Sequence, residues 1–305
     1  MAKFVQQYSN EDYQYMINHY YDMSSTQISR HIGCSRQLVL KVWRENGLKG
    51  KPLSRRYYFN EYYFNIIDNQ NKAYIIGFLA SDGNLYKRKG HLGQIQITLK
   101  DNDVHILEQM KIETEYNNKP ILYNDKKHSC TLTWNSDIMF NALINIGLYP
   151  NKTTTINTSN INIPVKYEID YIRGYFDGDG SIYKHLSPTS INMTECNYHI
   201  AISGYIHNLS SIQNILNKYN ITSNLIKDKR KYNGLNEFGQ ITITNIKSKY
   251  FFLKLIYNNS NMFLKRKYKI AKEFIEKVET NIKYKNIIKE YNAVYGQNSQ
   301  KSIDD

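Results

Sequence analysis

The sequence predicts an α+β protein made of two pseudo-symmetric halves, preceded by a small all-α domain. The stretches Ala73–Asn84 and Asp170–Ser181 share the pattern Tyr-Ile-x-Gly-aromatic followed by Asp-Gly, and their equivalent residues are 97 positions apart. Each stretch precedes segments in which apolar and polar residues alternate, as in Gln94–Lys100, and this alternation indicates half-buried strands. A repeat of this kind indicates a duplicated structural unit.

Both predicted halves have the element order αββαββα. The first is predicted to contain a helix over 71–81, strands at Leu85 and over 94–100, a helix over 101–114, strands over 120–124 and 129–134, and a helix over 136–146. The second is predicted to contain a helix over 168–178, strands over 181–185 and 198–203, a helix over 207–219, strands over 224–230 and 239–245, and helices over 247–257 and 263–278. One more amphipathic helix is predicted over 282–291, followed by a disordered end.

The N-terminal residues 9–48 read as three short helices. Ser24 and Gln27 form a capping-box start for the second helix, which stops at Gly33. The third begins at Ser35, and its polar and basic face carries Arg36, Gln37, Lys41 and Arg44. This pattern is typical of a DNA-binding helix-turn-helix, although a generic three-helix unit with a solvated basic face is the alternative.

The predicted domains follow from these patterns. They are a helix-turn-helix domain (1–50), a basic linker (51–70), a first half (71–160), a second half (161–285) and a C-terminal tail (286–305).

Charge and composition restrict the class of protein. The 305 residues include 40 Lys+Arg and 27 Asp+Glu, which gives a net charge of +13. This excess favours a polyanionic partner, although an AT-biased coding sequence is an alternative explanation. The three cysteines are far apart, which argues for a reducing compartment and against structural zinc or disulfides. With no membrane-spanning run and no signal-peptide pattern, the sequence predicts a soluble, cytoplasmic protein without a membrane partner.

The alternating strands predict a sheet with one apolar and one polar face. Polar side chains of these types read base edges and hold phosphates, although a plain solvated face is the alternative. In the first half the predicted contacts with DNA are Asn84, Tyr86, Arg88, Gln94, Gln96, Thr98 and Lys100. In the second half they are Ser181, Tyr183, His199, Ser203, Lys227, Lys229, Gln240, Thr242 and Thr244.

The two repeated helices are predicted to pack side by side through Gly77 and Gly174, since a position without Cβ allows close backbone approach. Asp82 and Asp179 would then lie together at two negative helix ends, where a hard divalent cation relieves their repulsion. The glycine after each aspartate is predicted to be a left-handed helix cap. The sequence fits neither an EF-hand loop nor a dinucleotide-binding fingerprint.

Residues 75–83 (IIGFLASDG) and 172–180 (IRGYFDGDG) resemble the two motifs of LAGLIDADG homing endonucleases. The resemblance covers about 70–285 and implies two sheets forming a saddle for DNA. It also implies Mg²⁺ binding by Asp82 and Asp179, with the carbonyl groups of Ser81 and Gly178 as further ligands. Mn²⁺ is the expected substitute, and Ca²⁺ is expected to bind without supporting cleavage. Asp177 retains an acidic motif position, for which a supporting role is expected.

The resemblance further implies one basic residue per half near the scissile phosphates. The candidates are Lys152 and Lys267, although either could be a solvated charge at a helix end. The resulting hypothesis is a monomeric, site-specific endonuclease that breaks both strands of duplex DNA and requires no protein partner. The alternatives are an intron RNA maturase, a non-cleaving transcriptional regulator and an enzyme that nicks one strand.

Overall fold

The computed structural model describes residues 8–20, 23–48, 57–116, 118–150, 161–184, 198–228 and 238–296. The chain divides into two compact units, Met1–Tyr58 and Phe59–Asp305. Among the helices of the described ranges, none has the length and apolar character needed to span a membrane.

The first unit contains the three predicted helices: α1 (Asn10–Asn18), α2 (Ser25–Ile32) and α3 (Arg36–Glu45). A left-handed glycine, Gly33, ends α2, and the hydroxyl group of Ser35 caps α3. The small core is sealed by a hydrogen bond of 2.7 Å from the Trp43 indole to the Met16 carbonyl. Hence the helices are present as predicted, while DNA binding by α3 stays a prediction.

The second unit contains two αββαββα halves and two further helices. The first half comprises α4 (Gln70–Asp82), β1 (Gly83–Tyr86), β2 (Gln94–Lys100), α5 (Val104–Glu113), β3 (Leu122–Asn124), β4 (Ser129–Asn135) and α6 (Asp137–Ile146). The second half comprises α7 (Glu168–Asp179), β5 (Gly180–Lys184), β6 (Tyr198–Tyr205), α8 (Ile206–Lys218), β7 (Asn224–Lys227), β8 (Phe238–Thr242) and α9 (Ile246–Tyr257). The chain continues into α10 (Lys265–Thr280) and α11 (Lys285–Tyr295), so the described part of the predicted tail is helical.

Each half has a four-stranded antiparallel sheet, with strand orders β1-β2-β4-β3 and β5-β6-β8-β7. The strands of the two sheets are paired in the same relative register. Gly83 pairs with Ile97, which pairs with Leu132. In the second sheet the corresponding chain of pairs runs from Gly180 to Ile202 and then to Ile241. The register therefore defines equivalent residues in the two halves.

The motif helices α4 and α7 cross where both lack a Cβ atom. A methyl group built on Gly77 would lie 2.0 Å from the Tyr171 carbonyl oxygen, and one on Gly174 would lie 1.9 Å from the Tyr74 carbonyl oxygen. No side chain fits at either distance. The predicted close contact through these two glycines is therefore present.

The prediction of left-handed caps at Gly83 and Gly180 is wrong. Both residues are extended, with φ of −74° and −82°, because each is the first residue of a strand that leaves its helix directly. Glycine is required here by crowding: a methyl group on Gly180 would lie 2.4 Å from the Phe176 carbonyl oxygen, inside the last helical turn.

Candidate active site

Asp82 and Asp179 are the last residues of the two packed helices. A methyl group built on Gly178 would lie 1.8 Å from Ser81 Oγ and 3.4 Å from Asp82 Oδ2, so the last turns of the two helices touch. Burial raises the pKa of the Tyr175 phenol, and the charges of Asp179 and Asp82 both add to this rise. Both aspartates therefore end helices whose last turns are in contact.

Asp177, two residues before Asp179 in α7, is fully buried. Its carboxylate accepts hydrogen bonds from the Tyr74 and Tyr257 hydroxyl groups, both at 2.9 Å, and from the Leu264 backbone amide at 2.8 Å. Burial raises the pKa of this carboxyl group, and its hydrogen bonds act in the opposite direction. Because Tyr74 belongs to the first half and Asp177 to the second, this carboxylate joins the halves behind the site.

Lys267, at the start of α10, covers the end of α7. Its ammonium donates to the carbonyl oxygens of Phe176 and Asp177 at 2.6 and 2.7 Å, and to those of Gly178 and Gly180 at 3.3 and 2.6 Å. A cation at this position offsets the negative end of the helix dipole. Only 3% of Lys267 is exposed, so it is a buried cap rather than a solvated charge at a helix end.

The Lys267 cap predicts a pH dependence of stability. Burial lowers the pKa of its ammonium to about 8, against about 10.4 in an unfolded chain. Between these pH values the unfolded chain binds more protons, so the free energy of unfolding due to this group rises with pH. Relative to Lys267→Met, the wild type should gain about 2 kcal/mol between about pH 7 and 9.5. Denaturant unfolding at both pH values measures this difference.

A matched control for that experiment is Lys269→Met, since Lys269 is an exposed lysine of the same helix. Its pH dependence should match that of the wild type. Equal pH dependences for wild type and Lys267→Met would contradict burial of a titrating ammonium.

The chemistry of the paired helix ends suits a hard divalent cation. In the described part of the chain, no cluster of three or more His, Cys, Asp or Glu side chains suited to a metal occurs. The candidate ligands are therefore two carboxylates and the nearby carbonyl groups, of which Gly178 accepts a weak hydrogen bond of 3.3 Å from Lys267. Mg²⁺ is commonly held by one or two carboxylates together with substrate phosphate oxygens and waters, so this set fits it.

The polar sheet faces place most of the predicted DNA contacts together. On the first sheet, Asn84 and Gln96 form a pair, and Thr98 Oγ1 lies 2.9 Å from Thr131 Oγ1. On the second, the rings of Tyr183 and His199 stack at 4.8 Å. Residues on these faces are Asn84, Tyr86, Gln94, Gln96, Thr98, Lys100, Ser181, Tyr183, His199, Ser203, Gln240 and Thr242. Arg88 follows β1 and donates to the Tyr86 hydroxyl at 2.6 Å.

Two predicted residues are not on the polar faces of these strands, and two fall outside the described residues. Lys227 pairs with Gly239, on the alternation that faces the helices, and Thr244 follows the end of β8. Lys152 and Lys229 lie outside the described residues.

Sequence reasoning missed the contribution of β4 to the first polar face. Thr131, Thr133 and Asn135 lie beside the predicted residues of β2. The alternating sequence Ser-Cys-Thr-Leu-Thr-Trp-Asn over 129–135 contained the signal for them.

Two four-stranded antiparallel sheets, each carried by one of two crossed helices with a terminal aspartate, define a two-half α+β saddle. Residues 166–257 match the family model described as a LAGLIDADG-like domain. No curated protein matches the sequence. Among solved structures, the meganuclease I-SmaMI bound to uncleaveable DNA with a TTCT central four is similar at a TM-score of 0.51 and 13% identity, over 75% of this chain and 99% of that chain. The I-LtrWI LAGLIDADG homing endonuclease bound to target DNA is similar at a TM-score of 0.47 and 13% identity. That match covers 78% of this chain and 98% of the I-LtrWI chain.

Residues 166–257 are therefore similar to a LAGLIDADG-like domain, and about three quarters of the chain shares its fold with the meganuclease I-SmaMI. The matched residues include the second motif, 172–180, so the family resemblance of that motif is confirmed. The N-terminal helix-turn-helix stays a prediction.

Proposed function

We propose that this protein is a site-specific DNA endonuclease that hydrolyses one phosphodiester bond in each strand of a duplex. The observation that carries the proposal is the contact between the last turns of α4 and α7, since each of these helices ends at an aspartate and leads directly into a strand of a sheet with a polar face. The LAGLIDADG-like domain and the net charge of +13 support the same conclusion.

The roles of the residues follow from their positions. Asp82 and Asp179 would hold Mg²⁺, assisted by the carbonyl groups of Ser81 and Gly178, with Mn²⁺ as a substitute. Such an ion supplies an activated water and stabilises charge on the phosphate. Lys267 binds the carbonyl groups at the end of α7 and would thereby position Asp179. Its positive charge would help to stabilise the charge that develops on the phosphate. Asp177 fixes the two halves relative to one another.

Binding would use both sheet faces at once. A single chain supplies two pseudo-symmetric faces. One molecule would therefore suffice for a long duplex site without a protein partner. Arg88 and Lys100 would add phosphate contacts, while amide and hydroxyl side chains such as Gln94 and Thr98 would meet base edges.

The proposal is tested by incubating the full chain at low salt with a randomised duplex library. With Mg²⁺, the library should yield one family of cut sequences with both strands broken. With Ca²⁺, the same sequences should be bound but not cut. If no duplex is cut in Mg²⁺ at low salt, the proposed function is wrong. Binding of structured intron RNA in that case would instead favour a maturase.

The exposed basic face of α3 leads to a separate prediction for the first unit. We expect Lys41→Gln and Arg44→Gln each to lower the affinity for the selected DNA site. Each should also reduce the slope of log K against log salt by about 1, because one phosphate contact is lost. Affinity measured over a range of salt concentrations checks this.

Lys289→Gln, which removes an exposed lysine of α11, is the matched control and should leave the slope unchanged. If Lys41→Gln and Arg44→Gln behave like this control, the first unit does not contact DNA through α3.

A further inference from the structure

Leu122 and Ile226 occupy the same position in the two halves. Leu122 on β3 pairs with Thr131, and Ile226 on β7 pairs with Gln240. Thr131 and Gln240 are themselves equivalent, since each directly precedes one of the equivalent residues Leu132 and Ile241 in the shared register. The pseudo-twofold symmetry of the fold therefore relates the two aliphatic side chains.

Both side chains project from the polar sheet faces. Thr131 Oγ1 lies 2.9 Å from Thr98 Oγ1, and Gln240 Nε2 donates to Ser203 Oγ at 3.4 Å, which identifies the polar side of each sheet. Leu122 is 58% exposed and Ile226 is 54% exposed.

Such exposure is unusual within these sheets. Among the described residues of the eight strands, Leu122 and Ile226 are the only exposed aliphatic side chains. One exposed aliphatic residue on a surface needs no explanation. Two at symmetry-related positions, each paired with a polar residue (Thr131 or Gln240), indicate a ligand that offers an apolar group at both places.

We propose that Leu122 and Ile226 each recognise a thymine through its C5 methyl group in the major groove. This inference rests on the proposed function and adds a specificity rule to it. The thymine methyl is the apolar group among the donors and acceptors of the major-groove base edges, so it is the partner for an aliphatic side chain there.

The symmetry of the two positions makes the inference more specific. The two thymines lie at equal distances on either side of the cleavage centre, on opposite strands. The residues paired with these two side chains differ between the halves: Thr131 in the first half takes the position of Gln240 in the second. The rest of the recognised DNA sequence therefore does not share this symmetry. The recognition site should therefore contain one palindromic pair of thymines within an otherwise asymmetric sequence.

The test begins with a duplex selected by the full chain from a randomised library in the presence of Ca²⁺. Each thymine of the selected site is then replaced singly by uracil, which lacks only the methyl group. For the wild type, uracil at the two symmetric positions should weaken binding about fourfold each, the effect of removing one buried methyl group. In Leu122→Ala, uracil at the first of these positions should have no effect, and in Ile226→Ala the same holds for the second.

Ile112→Ala is the control, since Ile112 is a 67% exposed aliphatic residue on α5. This variant should show both uracil effects at full size. The inference is overturned if a site is selected and cut but uracil weakens wild type, Leu122→Ala and Ile226→Ala equally, or not at all; the proposed function then stands. If the library yields no bound duplex, the proposed function fails and this inference fails with it.

Discussion

Asp82→Asn and Asp179→Asn are each expected to abolish double-strand cleavage while leaving the affinity for the DNA site largely unchanged. Each substitution removes one of two carboxylates at touching helix ends, and with it half of the charge available to a divalent ion. The loss of a metal ligand forfeits several kcal/mol of transition-state stabilisation, so cleavage should fall at least about a thousandfold. The rate of cleavage in Mg²⁺ and the affinity in Ca²⁺ measure the two quantities separately.

Asp125→Asn provides the control, since Asp125 is an exposed aspartate in the turn between β3 and β4. It should cut at the wild-type rate. Full cleavage of both strands by Asp82→Asn and by Asp179→Asn would refute the assignment of the site. Nicking of one strand by either variant would show that each aspartate is needed for cleavage of only one strand.

Gly174→Ala is expected to cause the largest loss of stability. The added methyl group would lie 1.9 Å from the Tyr74 carbonyl oxygen and 2.8 Å from the Phe78 backbone nitrogen, so the two helix backbones must separate. Because rigid backbone atoms cannot move aside as a side chain end can, the free energy of unfolding should fall by at least about 3 kcal/mol. Denaturant unfolding measures this change.

Gly296→Ala tests whether the effect comes from crowding. There the nearest atom to an added methyl group is Asn292 Cβ at 3.6 Å, an ordinary contact, so stability should hold or rise slightly. If Gly174→Ala unfolds at the wild-type denaturant concentration, the close crossing of α4 and α7 is wrong.

Much of this architecture could be predicted from the sequence because it is encoded locally. The alternation in Gln94–Lys100 reports one buried face, and the burial of Ile95 and Ile97 confirms it. The repeated Asp-Gly also predicts a paired site, since equal spacing within two copies places Asp82 and Asp179 at equivalent helix ends.

The surroundings of Asp177 could not be predicted in this way. Its partners Tyr74, Tyr257 and Leu264 lie between 80 and 103 residues away in the chain, so no local pattern connects them. The expected supporting role of this aspartate thus takes a form that only the tertiary structure reveals. Its buried carboxylate orders the interface between the halves.

Strand register also limits how well the sequence predicts which sheet face a residue occupies. The sequence predicts that Lys227 contacts DNA, but this residue pairs with Gly239 on the helix-facing alternation. A shift of one residue moves every side chain of a strand to the other face, and the four residues of β7 contain too little alternation to fix it. The backbone conformation of the glycines after the aspartates could not be predicted either. A sequence does not distinguish a glycine required by crowding from one required by a left-handed turn.

The capping of α7 by Lys267 also determines when the end of this helix can become fully structured during protein synthesis. A ribosome adds about 5–20 residues each second, so Asp179 leaves it several seconds before Leu264 and Lys267 do. Until then the end of α7 has neither its cation nor the backbone amide that holds Asp177. A chain that ends prematurely would carry both aspartates without the groups that hold them in place. The proposed cleavage site is therefore complete only after the ribosome has translated the second half.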